Sequence, residues 1–364
     1  MKKIKKYLIL GIKILIGVIF IKGAIQSNDN DKSEYFIPEY ILNNPNNTAI
    51  KIVRNDTVLV SHNENKLMPL ASTVKIIIAV EFAFQVDEKL INPDSIVSIS
   101  EIDKYYIPRT DGGAHAQWKR SITGKSIVDS ISLMEIAIGM IRYSSNANTE
   151  YLLDVLGLDK VNQRITKLDI NSHDPIYYLT SSQILSYVAF PELLSDEILL
   201  LDSLSNLTSA DIQLWCDSIH EQLKKEKFNI ESFQGNKLSV QKIWSDNLPR
   251  STVKEYSDLL SKINSKSYFK TEIHKTLDKM LEGLMLNATN RKWLKHAGQK
   301  GGETKYVLTN AAYGTTLTGN KTEIVFFLND LENSRKFRKH TNILKLKILN
   351  SKEFRAEIVE MFKK

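Results

Sequence analysis

The sequence contains very little cysteine, since Cys216 is the single one among 364 residues. One thiol can form neither an internal disulfide framework nor a multi-thiolate metal site. Cys216 lies on the apolar face of a predicted helix, which favours a core position over a reactive one. The seven histidines show no His-Glu-x-x-His or other paired spacing. No metal site and no cofactor are therefore expected.

Beyond the N-terminus, the chain also lacks dense charge blocks, internal repeats and low-complexity tracts. Its net charge of +7 is spread over many lysines and arginines, so binding to nucleic acid is not expected. A composition of 42% hydrophobic and 25% charged residues is typical of a globular protein. The length suits one large domain or two interleaved ones, and we expect a monomer.

The N-terminus has the pattern of a targeting segment. Lysines among the first six residues precede an apolar run over residues 7–21 that only Lys13 interrupts, and Gly23 and Ala24 follow it. Residues 1–28 therefore predict a secretory signal peptide or an uncleaved signal anchor. The run is short for a membrane span, and no nearby cysteine can carry a lipid. We expect an extracytoplasmic protein, periplasmic or at the cell surface, either secreted or anchored by this segment.

The candidate nucleophile is Ser72, in the stretch Ser72-Thr-Val-Lys75 that opens a long apolar run. Residues three apart share one helix face, so the Ser72 hydroxyl and the Lys75 amine can touch. An amine at the start of a buried helix is poorly solvated, which lowers its pKa and lets it accept a proton. A helix N-terminus also stabilises negative charge that develops there. These features together predict an activated serine.

The same four letters recur at Ser251-Thr-Val-Lys254, ahead of an ordinary amphipathic pattern. Ser251 is interpreted as a helix N-cap. Taken alone, Ser72 is open to the same interpretation, so the residues downstream must decide.

Two further motifs follow Ser72 along the chain. The first is Ser144-Ser-Asn146, at the end of a helix predicted over residues 133–142, and the second is Lys300-Gly-Gly302, in a predicted strand. Alternating patterns predict a hairpin before Ser72, over residues 48–54 and 57–61, and two strands after Gly302, over residues 306–315 and 323–328. The chain between residues 158 and 290 is mostly helical in pattern.

With these three motifs in this order, the chain resembles the serine β-lactamase and penicillin-binding protein superfamily, closest to its class A β-lactamase-like branch. The resemblance implies an α/β (α+β) fold with a five-stranded antiparallel sheet, flanking terminal helices and a large inserted all-α domain. We expect the sheet domain at residues 34–70 and 291–364. The helical domain is expected at residues 71–290, with an enlarged segment at about 169–249.

The resemblance also implies roles for single residues. Ser72 attacks an amide carbonyl and forms an acyl-enzyme, and Lys75 assists its deprotonation. Ser144, helped by Lys300, passes a proton to the leaving nitrogen. No cofactor takes part.

Substrate-binding residues follow from the same resemblance. Asn146 contacts the amide side chain of the substrate, and the backbone N–H groups of Ser72 and Glu303 form the oxyanion hole. Gly302 precedes Glu303, and Thr304 is a candidate substitute for a missing hydroxyl. The rim candidates are Tyr106 and His115, with core packing and a structural histidine as the alternatives.

Two departures from the family pattern bear on function. The Glu-x-x-Leu-Asn motif that carries the deacylating glutamate is missing between the second and third motifs. The match at Glu39 to Asn43 lies upstream of Ser72, and Glu192 is the nearest candidate in the right region. In addition, Gly301 stands where the family has a hydroxyl residue, which weakens the case for a carboxylate-bearing β-lactam.

The expected function is an extracytoplasmic serine hydrolase that forms a Ser72 acyl-enzyme with a β-lactam or related amide and deacylates slowly. The alternatives are a penicillin-binding DD-peptidase, a sensor that does not turn over, and an esterase-like hydrolase. The expected partner is a small molecule or a cell-wall peptide.

Overall fold

The computed structural model describes residues 34–123, 129–226, 228 and 233–363. The predicted targeting segment, residues 1–28, lies outside them. The helices are α1 (Phe36–Asn43), α2 (Lys75–Asp87), α3 (Ile99–Asp103), α4 (Ala114–Ile122), α5 (Leu133–Arg142), α6 (Asn146–Leu156), α7 (Leu158–Lys167), α8 (Leu179–Ala189), α9 (Glu197–Ser205), α10 (Ser209–Lys224), α11 (Leu238–Asp246), α12 (Val253–Asn264), α13 (Thr271–Leu281), α14 (Arg338–Asn350) and α15 (Lys352–Lys363).

Five strands form one antiparallel sheet in the order β2-β1-β9-β8-β7, which confirms the predicted fold class. These strands are β1 (Thr48–Arg54), β2 (Thr57–His62), β7 (Leu294–Glu303), β8 (Leu308–Thr316) and β9 (Lys321–Leu328). Two short pairs lie outside the sheet: β3 (Met68–Pro69) with β6 (Arg250–Ser251), and β4 (Ile96–Ser98) with β5 (Ser130–Ser132). Strand β7, which carries Lys300, is an edge strand of the sheet.

The sheet separates two hydrophobic cores because side chains alternate between the faces of a strand. On β9, Val325 and Phe327 belong to the core shared with the helices between residues 71 and 290. Ile324, Phe326 and Leu328 belong to a second core with the terminal helices α1, α14 and α15. One face of the sheet therefore packs against the helices that include the Ser72 helix, and the other face packs against the terminal helices.

Helix α2 lies at the centre of the first core, as its nearly uniform apolar sequence predicts. Its residues Ile76, Ile77, Ile78 and Val80 are fully buried. Cys216 on α10 is also fully buried, and burial raises the pKa of its thiol well above the usual range. In the described part of the chain, no helix is both long and apolar enough to cross a membrane.

The second Ser-Thr-Val-Lys stretch corrects one interpretation. Ser251 lies in β6 opposite Met68, and its hydroxyl donates to the Ser172 carbonyl at 2.7 Å. The N-cap of α12 is Thr252, whose side chain accepts from the Glu255 N–H. The prediction of Ser251 as the N-cap was therefore wrong by one residue, because Ser251 belongs to the short strand pair.

Candidate functional site

Ser72 lies on a single 3-10 turn (Ala71–Val74) that leads directly into α2. The flanking residues Ala71 and Thr73 are buried, whereas Ser72 is partly exposed. Ala71 has a φ of 44°, a left-handed conformation that non-glycine residues rarely adopt and that costs about 1–3 kcal/mol. The local backbone thus presents one hydroxyl to solvent from an otherwise buried turn.

Strand β7 lies directly against this turn at Gly302. A Cβ atom added to Gly302 would lie 2.6 Å from the Ser72 backbone nitrogen, 2.6 Å from the Leu70 carbonyl and 2.5 Å from Thr309 Oγ1. Two of these neighbours are backbone atoms that cannot move aside. Glycine is therefore required here for the strand to approach the nucleophile.

Ser144 contacts side chains from both of the other motifs. It follows α5 with a φ of 67°, again a left-handed conformation, and it lies between two lysines. Lys300 Nζ donates to Ser144 Oγ at 2.9 Å, and Lys75 Nζ lies 3.3 Å from the same oxygen. The three motifs therefore meet at the Ser144 hydroxyl.

Both lysines are buried, at 0% exposure for Lys75 and 5% for Lys300. Burial lowers the pKa of Lys300 to about 7. Burial, and then repulsion from Lys300, lower the pKa of Lys75 well below its usual range, while Asp111 and Glu150 oppose the shift. An amine with such a pKa can accept a proton near neutrality.

The structure differs from the expected contact between Ser72 and Lys75. Lys75 Nζ donates to Asn146 Oδ1 and to the Ser144 carbonyl oxygen, each at 2.8 Å. The Lys75 backbone N–H donates to the Ser72 carbonyl oxygen, but among the described residues no hydrogen bond joins the Lys75 amine to the Ser72 hydroxyl. Lys75 is the first residue of α2, and its side chain reaches toward α6 instead. Asn146 thus holds the lysine as well as facing the cleft.

One large cleft of about 1010 Å³ lies at this point. Of the residues singled out from the sequence, Ser72, Ser144, Asn146, Gly301, Gly302, Glu303 and Thr304 line it. The walls add residues that the sequence did not single out: Arg109, Asp111, Arg142, Tyr143, Leu179, Gln183, Phe233, Asn236, Leu238, Gln241, Trp244, Gln299, Lys305, Asn310, Arg335, Arg338, Thr341, Asn342 and Lys345. Leu179 to Trp244 come from the enlarged segment, so that segment forms one wall.

The lining residues include two carboxylates, Asp111 and Glu303, and both are engaged. Asp111 accepts from the backbone N–H groups of Gly113, Ala114 and His115 at the start of α4, at 2.8–3.1 Å. Glu303 accepts from Arg338 Nε and from Ser334 Oγ, each at 2.7 Å. Glu192 and the stretch Glu39–Asn43 are not among the lining residues.

The side chain of Thr304 forms hydrogen bonds within its own turn. Its Oγ1 accepts from the Tyr306 and Val307 N–H groups at 3.1 Å and 3.0 Å, and Ser245 Oγ lies 2.9 Å away. Its hydroxyl therefore stabilises the β7–β8 connection. The role of Thr304 as a substitute for the missing hydroxyl at position 301 stays a prediction.

Tyr106 and His115 do not line this cleft. His115 is fully buried, stacks on Tyr106 at 4.6 Å and lies beneath the Ser144 turn. Its Nδ1 is 3.0 Å from Ser145 Oγ, and its Nε2 is 2.8 Å from Asp103 Oδ1. Both residues border a separate, smaller pocket. The spacing ahead of Ser144 placed His115 close to the site but could not show that it lies below the surface.

The additional wall residues carried few signals in the sequence. Gln183, Asn310 and Lys345 belong to no motif, and α14 was not predicted. Asn310 and Lys345 are buried polar residues, and their approach to the cleft depends on how β8 and α14 pack together. Across the described residues, no cluster of three or more His, Cys, Asp or Glu side chains is arranged to hold a metal ion.

Solved structures share this fold at low sequence identity. A class A β-lactamase from Bacteroides cellulosilyticus is 16% identical with a TM-score of 0.52, over 90% of this chain and 96% of that chain. A β-lactamase from Sphaerobacter thermophilus is 14% identical with a TM-score of 0.54, over 86% and 95%. A leucine-to-glutamate mutant of PBP-A, solved as an acyl-enzyme complex with penicillin G, is 13% identical with a TM-score of 0.52, over 87% and 95%. No curated protein sequence matches the chain.

The sequence match to a family model decides membership. Residues 39–299, well over half of the chain, match the model of the β-lactamase enzyme family. This range contains the Ser72 and Ser144 motifs and ends immediately before Lys300. Together with the sheet order and the meeting of the three motifs at one cleft, the match shows that the chain belongs to the β-lactamase enzyme family.

Proposed function

We propose that the protein is a serine hydrolase that forms an acyl-enzyme on Ser72 with a β-lactam or a related amide. The observation that supports this most directly is the placement of two buried amines, Lys75 and Lys300, on the Ser144 hydroxyl, in the cleft that Ser72 also lines. A single hydroxyl contacted by two amines of lowered pKa is suited to moving protons during acyl transfer.

The proposed reaction starts with neutral Lys75. Ser72 Oγ attacks the carbonyl carbon, and its proton passes to Lys75, which exchanges one of its present acceptors for Ser72. The C–N bond then breaks as the Ser144 hydroxyl gives its proton to the leaving nitrogen. Lys75 returns the proton to Ser144, and Lys300 holds the Ser144 oxygen throughout. The product is an ester between Ser72 and the acyl group.

Negative charge develops on the carbonyl oxygen during the attack. The backbone N–H groups of Ser72 and Glu303 are the proposed donors for this oxygen, and the close contact of Gly302 with the Ser72 nitrogen brings the two backbones together. One such donor contributes about 3 kcal/mol to transition-state stabilisation.

We infer that deacylation is slow. Hydrolysis of the ester requires a base that activates water, and both lining carboxylates are held by other groups. Helix α8 contributes Leu179 and Gln183 to the cleft, and both side chains are uncharged. The cleft thus supports acylation better than turnover.

A second candidate function is a penicillin-binding DD-peptidase or a sensor that stays acylated. The same engaged carboxylates favour it, and the PBP-A complex shows that a structural neighbour forms an acyl-enzyme with penicillin G. An esterase-like hydrolase is the further alternative, since Gly301 offers no hydroxyl to a substrate carboxylate. The extracytoplasmic location remains part of this proposal and rests on residues 1–28.

The test is a time course of intact mass after addition of benzylpenicillin. The wild type is compared with Ser72→Ala and with Ser251→Ala, a matched control in the second Ser-Thr-Val-Lys stretch. We expect a stoichiometric adduct that Ser72→Ala abolishes and Ser251→Ala retains, and that persists for hours. An adduct that disappears while the drug is consumed would point to an efficient β-lactamase. An adduct that still forms in both variants would contradict Ser72 as the nucleophile.

A further inference from the structure

Helix α10 of the enlarged segment carries a histidine, His220, that is 1% exposed and is not among the residues that line the cleft. Its ring lies between two nearly parallel tyrosine rings. The ring centroid is 3.7 Å from that of Tyr178 and 5.0 Å from that of Tyr105. A cation between two aromatic faces is attracted by their π electrons. This setting favours the protonated form of the His220 ring.

Two carboxylates of α6 flank the same ring. His220 Nδ1 lies 3.4 Å from Glu150 Oε1, and His220 Nε2 lies 3.4 Å from Asp154 Oδ1. Burial alone would lower the pKa of His220, but its hydrogen bonds with Asp154 and Glu150, together with their negative charges, raise that pKa to about 9. His220 is therefore an imidazolium at neutral and acid pH.

The two carboxylates differ in their other cationic partners. Asp154 is also paired with Lys224, at 2.9 Å. Within the parts of the chain that the structure describes, His220 is the cation paired with Glu150. The nearby groups on α10 are exposed: Asp217, and Glu221 with its partner Lys225. Tyr105 and Tyr178 are neutral, since burial raises the pKa of both phenols.

Glu150 connects His220 to the first turn of α8. Its carboxylate is fully buried and accepts hydrogen bonds from the Thr180 N–H at 2.9 Å and the Ser181 N–H at 3.3 Å. The Ser181 hydroxyl donates to it as well. Three donors stabilise the ionised form of a carboxyl group. Glu150 is therefore a buried anion, and His220 offsets its charge.

The charge of Glu150 also acts on the amine of Lys75. Glu150 follows Asn146 by four residues on α6, so the two side chains share one face of the helix. Asn146 Oδ1 accepts from Lys75 Nζ at 2.8 Å. The negative charges of Asp111 and Glu150 favour the protonated amine, whereas burial and Lys300 oppose it. A Glu150 carboxylate without a cation beside it would therefore hold the proton on Lys75.

The consequence for acylation rests on the proposed function, in which neutral Lys75 accepts the Ser72 proton. We propose that His220 is a positioning residue for this step: its imidazolium fixes the Glu150 carboxylate and offsets its charge, so that Lys75 gives up its own proton at a lower pH. The enlarged segment then contributes to the chemistry of the site as well as to one wall of the cleft.

The test measures the rate constant of Ser72 acylation by benzylpenicillin at about pH 5 and about pH 9, and the ratio of the two is termed the acid ratio. His220→Gln keeps a hydrogen-bond donor but loses the charge. We expect its acid ratio to fall about tenfold, the effect of one pKa unit on Lys75. Glu150→Gln removes the anion, so its acid ratio should rise. General damage to the fold would lower the rate at both pH values and would not give opposite changes.

His274→Gln is the matched control. His274 is also buried, at 4% exposure, but burial lowers its pKa, so its replacement removes no charge at neutral pH and should keep the wild-type acid ratio. Circular dichroism shows that each variant is folded. A ¹⁵N NMR spectrum of the wild type, assigned by comparison with His220→Gln, should show both ring nitrogens of His220 protonated at pH 7.

The outcomes separate this inference from the proposed function. An unchanged acid ratio in His220→Gln, or an equal fall in His274→Gln, would overturn the positioning role alone. A neutral His220 ring at pH 7 would also overturn it, as would a Glu150→Gln acid ratio at or below the wild-type value, and these two results decide if His220→Gln fails to fold. Absence of any Ser72 adduct in the wild type would overturn the proposed function, and this inference with it.

Discussion

Lys75 Nζ lies 2.8 Å from the carbonyl oxygen and 3.3 Å from the hydroxyl oxygen of Ser144. The buried amine is therefore bound to the residue that the proposed reaction uses as its acid. Lys300 contacts the same hydroxyl, so two buried amines share one oxygen. This relationship makes the site sensitive to pH.

We expect the rate of Ser72 acylation to pass through a maximum with pH. It rises as Lys75 loses its proton, because the neutral amine accepts the serine proton. It falls again as pH rises through about 7, where Lys300 loses its charge. The measurement is the second-order rate constant of adduct formation between about pH 5 and pH 9.

Lys300→Arg is the control for the alkaline limb. A guanidinium keeps its charge above neutral pH, so the decline above about pH 7 should disappear even if the maximal rate is lower. A decline of unchanged position in this variant would show that another group causes it.

Gly302→Ala should block acylation. The added methyl group would lie 2.6 Å from the Ser72 nitrogen and the Leu70 carbonyl, so β7 must move away from the nucleophile. We expect a loss of about 100-fold or more in the acylation rate and about 1–3 kcal/mol in the free energy of unfolding. Mass spectrometry and chemical denaturation measure the two effects. Acylation at the wild-type rate would contradict the close approach.

A carboxylate placed on α8 should speed deacylation. Gln183 lines the cleft, and its Oε1 has no hydrogen-bond partner, so Gln183→Glu adds a base with almost no change of shape. Burial would raise the pKa of the new carboxyl group, which suits it to accept a proton from water. We expect the lifetime of the Ser72 adduct to fall about tenfold or more.

The matched control for this prediction is Gln241→Glu, on the α11 wall of the same cleft. It adds the same charge on a different helix and should change the adduct lifetime less. Equal acceleration by both variants would indicate a general effect of negative charge. An unchanged lifetime in Gln183→Glu would exclude α8 as the place from which water is activated.

His115 is held at both ring nitrogens. Its Nδ1 lies 3.0 Å from Ser145 Oγ, and its Nε2 lies 2.8 Å from Asp103 Oδ1. Ser145 Oγ in turn donates to Asn148 Oδ1 at 2.8 Å, and Asn148 Nδ2 donates to the Ile136 carbonyl at 3.0 Å. The ring therefore ties the Ser144 turn to α3 and α5.

Removal of this ring should loosen the Ser144 turn. His115→Asn leaves Ser145 and Asp103 short of a donor, which should cost about 1–3 kcal/mol of unfolding free energy and reduce the acylation rate. Lys119→Met is the comparison, because Lys119 contacts Asp103 from a more exposed position and should cost less. An equal loss of stability and of acylation rate in the two variants would contradict a specific role for the buried ring.

Much of the fold could be predicted from local pattern. Apolar alternation placed β1, β2 and β9, and the helix predicted over residues 133–142 is α5 within the same bounds. The order of the three motifs, together with the strands that flank them, led to the fold class and to the residues that line the cleft. Such features depend on neighbours in the chain, so the sequence alone can show them.

The contacts of the site depend on residues far apart in the chain. Lys75 and Asn146 are 71 residues apart, and no local rule indicates that the lysine prefers this partner to Ser72. His115 was a candidate for the rim, with a structural histidine as the alternative. It is fully buried, because its ring lies between Ser145 and Asp103.

The sequence by itself determined the order of the catalytic motifs, the absence of Glu-x-x-Leu-Asn between them and the glycines at 301 and 302. Only the tertiary structure decided what those glycines do. Gly302 meets the Ser72 backbone, whereas Gly301 lies beside Asn310 with room for a Cβ atom in ordinary contact. The two residues are chemically identical neighbours, and they differ because successive residues of a strand face opposite sides of the sheet.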